Sequence, residues 1–221
     1  MELYDAMSTL RAVRRLKTDP IPDDIMKRVL LAATWAPSAA NRQPWRIIVV
    51  RDPETKATLG ELHRKRWQDY SETATENLER IPPDARGRTE RAMAAGDYLA
   101  EHFEEAPAIV VFCFDPDRMG MPDRELARPT VVGGGSIFPA VQNLVLACRA
   151  EGLGCCITAL ICRDEEAIKE LLGIPHDWYT AAFVPIGYPR GRGHGPIRRR
   201  SLEQMVFEDR WDQPLSIGGA S

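Results

Sequence analysis

Three short apolar runs, at 46–51, 108–114 and 181–186, are separated by long stretches of helical pattern, and no two are joined as a hairpin. Each is short, bounded by turn or charged residues and rich in β-branched or aromatic side chains, so each reads as a buried strand. A shorter strand is predicted at 155–159. Strands interleaved with helices imply an α+β fold, a small central mixed sheet flanked by helices. No linker or repeat divides the 221 residues, so a single domain over 1–221 is expected.

The helices follow from periodicity and punctuation. Pro22, acidic Asp23 and Asp24, then Ile25, Val29, Leu30 and Ala33 at helical spacing predict a helix ending before Pro37. The charge-rich stretch 53–80, with Trp67, Tyr70 and Leu78, reads as helix until Pro82-Pro83 breaks it, and a further helix is predicted over 85–105. At 136–151, Ile137, Val141, Leu144, Val145 and Cys148 line one face, with Gly152 as the C-terminal glycine, which predicts the core helix. Asp164 is expected to cap a small helix reaching Leu172. The Pro- and Gly-punctuated stretch 115–135 is expected to be mobile or pocket-lining.

Composition narrows the function. A net charge of -3 and a pI near 5.9 give no reason to invoke nucleic acid. No run reaches about 18 apolar residues and the start resembles no signal peptide, so no membrane insertion is expected. Five cysteines without paired spacing point to a reduced, cytoplasmic protein, and His63, His102, His176 and His194 lack the spacing of a metal site. The adjacent Cys155-Cys156 reads as buried thiols rather than a redox pair.

The densest local signal is Ala36-Pro37-Ser38-Ala39-Ala40-Asn41-Arg42-Gln43-Pro44-Trp45, a helix-stopping loop held by two prolines and delivered onto a strand. It resembles the Pro-Ser-x-x-Asn-x-Gln-Pro-Trp motif of the nitroreductase family, FMN-dependent enzymes that include flavin dehalogenases and a flavin-fragmenting branch. Further stretches resemble the family in order: Arg11-Ala12-Val13-Arg14-Arg15-Leu16, Asp19-Pro20-Ile21-Pro22, Ala140-Val141-Gln142-Asn143-Leu144 through Gly152-Leu153-Gly154, Val184-Pro185-Ile186-Gly187-Tyr188-Pro189, and Arg198-Arg199-Arg200.

The resemblance implies a nitroreductase-like fold, an intertwined homodimer with two FMN sites at its interface, and a C-terminal arm, 198–221, packed on the partner. It implies an FMN phosphate site in Arg11, Ala12, Val13, Arg14 and Arg15, with Arg199 as the C-terminal contributor. Two departures stand out: the family's serine is Ala12 here, and the arginine often two places before it is Leu10. Without the resemblance, these arginines read as a solvated basic helix end and Arg198-Arg199-Arg200 as a surface charge run.

Pro37, Ser38, Ala39 and Asn41 match a loop that contacts flavin, commonly the one held mainly by the partner, while Gln43-Pro44-Trp45 is expected to anchor it to the core. Thr158 matches the position whose backbone N–H, sometimes with a side chain, meets the flavin N5, with Ile157 and Ala159 as neighbours to suspect. On residues alone, Ser38 and Asn41 could merely satisfy local backbone, and Thr158 could be a plain strand threonine. His102 lies where the family sometimes contacts the flavin's pyrimidine edge or the nicotinamide substrate, although a helix-surface histidine is the plainer reading. Gly133-Gly134-Gly135 permits close approach or simple flexibility, and Gly191-Arg192-Gly193-His194-Gly195 reads as loop.

The implied activity is hydride transfer from NAD(P)H through FMN to a nitroaromatic, a quinone or a similar electron-poor acceptor, by a ping-pong cycle in which no residue acts as acid or base. Within the same fold, reductive dehalogenation or metabolite dehydrogenation is the alternative. From another class, the chain could be a flavin-binding or flavin-storing protein. The substrate-facing stretches 64–70 and 118–129 carry no decodable motif.

Overall fold

The computed structural model describes residues 1–76 and 82–216. In chain order it contains α1 (Leu3–Thr9), α2 (Asp23–Thr34), β1 (Trp45–Val50), α3 (Pro53–Glu76), α4 (Pro83–Glu101), β2 (Ala108–Phe114), α5 (Phe138–Ala150), β3 (Gly154–Cys155), α6 (Glu165–Leu172) and β4 (Tyr179–Gly187). The fold is α+β. The predicted helical residues 77–80 and the last five residues of the arm, 217–221, lie outside the described residues.

The four strands are ordered β1-β2-β4-β3. Each neighbouring pair is antiparallel, which corrects the expectation of a mixed sheet. The reason lies in the connections: two helices, α3 and α4, stand between β1 and β2 and pack on each other. For β1 and β2 this helix pair returns the chain to the end it left, so β2 runs against β1; β3 and β4 are antiparallel as well, with α6 alone between them.

β2 is apolar throughout because it is buried on both faces. Val110 and Phe112 join Val29, Ala33, Val141 and Leu144 in a core under α2 and α5. Ile109 and Val111 point the other way, into a core with Leu59, Phe103, Ile161 and Ile168. Fully burying side chains of this size contributes about 1.5–3 kcal/mol each.

Several local expectations are refined. α4 ends at Glu101 and a short 3-10 turn over Phe103–Glu105 carries the chain into β2. The strand expected at 155–159 shrinks to β3, and Thr158 pairs alone with Phe183. Gly152 does close α5, at φ +76°. Asp164 precedes α6 without a capping side-chain bond; Arg66 Nε donates to its carboxylate at 2.6 Å instead. Among the described residues no helix is long and apolar enough to cross a membrane.

Candidate active site

Residues 10–17 cross the edge of the sheet and are pinned from below. Val13 N–H donates to Cys155 O at 2.8 Å and Lys17 N–H to Tyr188 O at 2.7 Å. Val13 and Leu16 are buried. Gly154 makes the seat, since a Cβ there would stand 2.7 Å from Val13 Cγ1. Between these anchors Arg11, Ala12 and Arg14 face a groove. Val13 does not; it holds the segment down. Arg15 turns onto α4, its guanidinium carbon 4.3 Å from the centre of the Tyr98 ring.

The groove has three neighbouring compartments that share lining residues. The first, about 250 Å³, is walled by Leu10, Ala12, Gln142, Val145, Cys156 and Ile157. The second is an open basic basin of about 820 Å³, where Arg11 and Arg14 meet Arg198 and Arg199 of the tail and Arg88 of α4. No carboxylate is among its described lining residues. The third, about 210 Å³, lies between Arg14, His63, Trp67, Tyr70, Ile157 and Thr158, with Ala159 also on its wall.

The tail reaches the basin because it is laid along the start of the chain. Gly195 N–H donates to Thr9 O at 3.0 Å and Ile197 N–H to Ser8 O at 3.1 Å. Arg11 clamps this pairing, giving Nε to Pro196 O at 3.0 Å and a second bond from Nη2 to the same carbonyl. Part of the Arg11 fork is therefore spent on its own chain. Arg199 is exposed, with Nη1 on Arg198 O at 2.8 Å.

Thr158 needs a correction. Its N–H donates to Phe183 O at 2.9 Å and its carbonyl accepts from Phe183 N–H at 2.8 Å, so its backbone donor is already taken by β4. The hydroxyl is what Thr158 has left to offer, while the N–H groups of Ile157 and Ala159 make no such bond to β4.

His63 Nε2 lies 3.5 Å from Thr158 Oγ1, at the outer limit of a hydrogen bond. The imidazole is buried and stacked on Phe103, with centroids 4.3 Å apart. Burial, and then the charge of Arg64, pull its pKa down to about 4, so it is neutral at pH 7. Its Nδ1 has no hydrogen-bond partner among the described residues.

The proline-rich loop lies elsewhere. Its residues Pro37, Ser38, Ala39 and Asn41 line none of the three compartments. Ser38 Oγ accepts from Gln43 N–H at 2.9 Å, and Ala39 N–H donates to the buried Ser136 Oγ at 3.1 Å. Ala40, Asn41 and Gln43 take φ of 50°, 52° and 47°, a left-handed run held by these bonds. Of the expected anchor, Pro44 and Trp45 are buried, whereas Gln43 is exposed and donates from Nε2 to Asn41 Oδ1 at 3.1 Å. Ser136 could have been suspected only from its place at the start of the core helix.

His102 and the Gly133-Gly134-Gly135 run line none of the three compartments, whereas Cys155 and Cys156 border the groove as buried thiols. His102 Nδ1 pairs with Tyr98 O at 2.8 Å and its ring stacks on Tyr98. Gly133 faces Met119 and Met121, and Gly134 faces Phe138. Cys155 and Cys156 are buried; burial holds the Cys156 thiol up at about 12, and a bond to Cys148, then burial, raise Cys155. Both are unreactive thiols in this state. Within 115–135, Asp123 is buried and accepts from Thr130 Oγ1 at 2.5 Å and Arg128 Nη1 at 2.7 Å. Those bonds hold its carboxyl down at about 2 and tie the stretch into a knot.

The nitroreductase-family sequence model matches residues 9–188. This chain belongs to the nitroreductase family. The NADH dehydrogenase of Thermus thermophilus is 31% identical over 209 residues, covering 89% of this chain and 91% of that protein. Among solved structures, oxidised iodotyrosine deiodinase bound to FMN and 3-iodo-L-tyrosine superposes with a TM-score of 0.68 at 20% identity, over 95% of this chain and 100% of that one. The NADPH:FMN oxidoreductase of Vibrio harveyi, complexed with NAD+, gives 0.66 at 19% identity, over 96% and 79%. At such identities the last two show a shared fold.

Proposed function

We propose that this member of the nitroreductase family is an FMN-dependent oxidoreductase that takes hydride from NAD(P)H and passes it to a nitroaromatic, a quinone or a similar electron-poor acceptor by a ping-pong cycle. The observation that carries the reading is the groove: a basic basin of arginines at one end and the Ile157–Thr158 wall at the other, joined along Arg11, Ala12 and Arg14. A basin of guanidinium groups without a carboxylate suits a phosphate dianion. The relatives named above, one bound to FMN, support the same cofactor.

When bound, FMN supplies the two-electron carrier. Arg11, Arg14 and Arg199 would hold its phosphate, and Arg14, which also borders the third compartment, would add positive charge there. The Thr158 hydroxyl, or the N–H of Ile157 or Ala159, would be the donor to its N5. Trp67 and Ile157 give that compartment apolar walls. No residue has to act as acid or base.

Pro37, Ser38, Ala39 and Asn41 serve a second copy's flavin in this reading, because they stand outside the groove of their own chain. Exposed Tyr4, Trp35 and Trp211 support a homodimer in which the arm from Arg198 onward packs on the partner. An obligate interface of this type buries over about 2,000 Å². Light scattering at micromolar concentration should give the dimer mass; a monomer with FMN bound counts against this arrangement.

Anaerobic mixing of the FMN form with NADPH or NADH tests the activity directly. Bleaching of the flavin absorbance, followed by its return on adding a quinone or nitroaromatic after the nicotinamide is removed, is expected. If dithionite bleaches the flavin and neither nicotinamide does, NAD(P)H is not the hydride donor and the reading fails as stated. A different hydride donor, or a flavin-binding protein with little turnover, then takes its place; the absence of a hydroxyl at Ala12 favours the latter.

A further inference from the structure

We propose that Arg88 of α4 is a direct phosphate donor in the groove, standing in for the hydroxyl that the chain lacks at Ala12 and making the site select FMN over riboflavin. This rests on the FMN reading and adds a residue from an element outside the arginine motifs at either end of the chain.

The need for another donor is visible in the basin. A phosphate dianion is held by several directed, charge-assisted bonds. Leu10 and Ala12 line the basin with carbon alone. Arg11 already gives Nε and Nη2 to Pro196 O, and Arg15 stacks on Tyr98. Four of the positions at which the family resemblance looks for a phosphate donor are thus without one, partly spent or turned away.

α4 supplies the replacement by its spacing. Arg88, Ala92 and Gly96 recur every four residues, and all three border the groove: Arg88 and Ala92 at the basin, Gly96 at the third compartment. Residues at i and i+4 share one helix face, so this stripe of α4 is the groove's wall. Two of its members are small and leave room. The third is a long cation placed where Arg14, Arg198 and Arg199 also converge. Among the described residues Arg88 makes no ion pair, unlike Arg28, Arg51, Arg64 and Arg66, which are each matched by a carboxylate. Like charges gathered around an open basin without a counter-charge suit an anion that arrives from solution.

The test titrates flavin-free protein with FMN and with riboflavin, following the quenching of flavin fluorescence, for the wild type, Arg88→Ala and Arg88→Lys. Losing one charge-assisted contact should weaken FMN by about ten- to a hundredfold. Riboflavin affinity should stay at the wild-type value, because riboflavin has no phosphate to lose. Arg88→Lys should recover part of the FMN affinity, since a point charge replaces the fork. Unchanged FMN affinity in Arg88→Ala overturns the proposal, as does an equal loss for both flavins, which would assign Arg88 to the packing of α4. A wild type that binds neither flavin defeats the FMN reading itself, and this proposal with it.

Discussion

The indole of Trp67 fills the space that a side chain on Gly96 would need: a Cβ there would stand 2.0 Å from Trp67 Cη2 and 2.1 Å from Cζ2. A glycine inside α4 costs about 1 kcal/mol relative to alanine when nothing else is at stake. Here something is. Trp67 is fixed by a bond from Nε1 to Asp97 Oδ1 at 2.7 Å, so the ring lies against α4 and forms one wall of the third compartment.

Gly96→Ala should therefore destabilise the protein, against its helix propensity. The ring has to leave its seat, and overpacking of this kind costs about 1–3 kcal/mol. Urea unfolding followed by tryptophan fluorescence reads both the loss and the altered environment of Trp67. A gain in stability of the size that propensity alone would give rejects the packing argument.

His63 should make stability depend on pH. In the unfolded chain it titrates near 6.5, and in the folded protein burial holds it at about 4. Between those values the unfolded state takes up a proton that the folded state refuses, so stability is lost as pH falls from about 6.5 toward 4. The full effect is about 3 kcal/mol, and roughly 2 kcal/mol is reached by pH 5. Above pH 7 both states hold neutral imidazole and His63 contributes no slope. Unfolding of the wild type and of His63→Leu at pH 7.5 and 5.0 should show the variant losing less by about that 2 kcal/mol. Equal losses would mean that His63 is not a buried neutral group.

Arg11→Ala and Arg199→Ala should both weaken FMN, but only the first should loosen the tail. Each removes a phosphate donor, at a cost of about ten- to a hundredfold in affinity. Arg11 also clamps Pro196 O, so its loss should speed amide exchange at Gly195 and Ile197, whose N–H groups bond Thr9 and Ser8. Arg199→Ala should leave that exchange unchanged. Wild-type FMN affinity in both variants assigns the phosphate to Arg14, Arg88 and Arg198.

What could be read from the chain was local. The loop of Pro37 and Trp45, the arginines at 11, 14 and 199, and the three strand runs each carry their signal within a few residues. The direction of the strands does not, because it depends on the end of the sheet to which each connection returns the chain: β1 and β2, with α3 and α4 between them, and β3 and β4, with α6 between them, are both antiparallel. Arg88 and His63 were hidden for a related reason: each is an ordinary polar residue on a helix until the fold sets Arg88 beside 10–14 and 196–199, and His63 beside 156–160. Thr158 stands between these cases. Its position was legible, yet which of its donors is free depends on the pairing with Phe183, a contact across 25 residues of chain.

That pairing gives Thr158 a clean test. Thr158→Val removes the hydroxyl while keeping shape and both backbone bonds to Phe183, so the fold should hold. A hydroxyl that donates to N5 favours the oxidised ring, whose N5 is an acceptor, over the reduced ring, whose N5 carries hydrogen. Losing a bond of about 0.5–1.5 kcal/mol should therefore raise the two-electron midpoint potential by about 10–30 mV. Thr158→Ser, which keeps a hydroxyl, should stay near the wild type. Potentials measured against a reference dye, with FMN affinity checked in parallel, separate an effect on N5 from a loss of binding. If Thr158→Val binds FMN and keeps the wild-type potential, the donor is the N–H of Ile157 or Ala159, and the Thr158 hydroxyl serves its neighbours His63 and Leu160 instead.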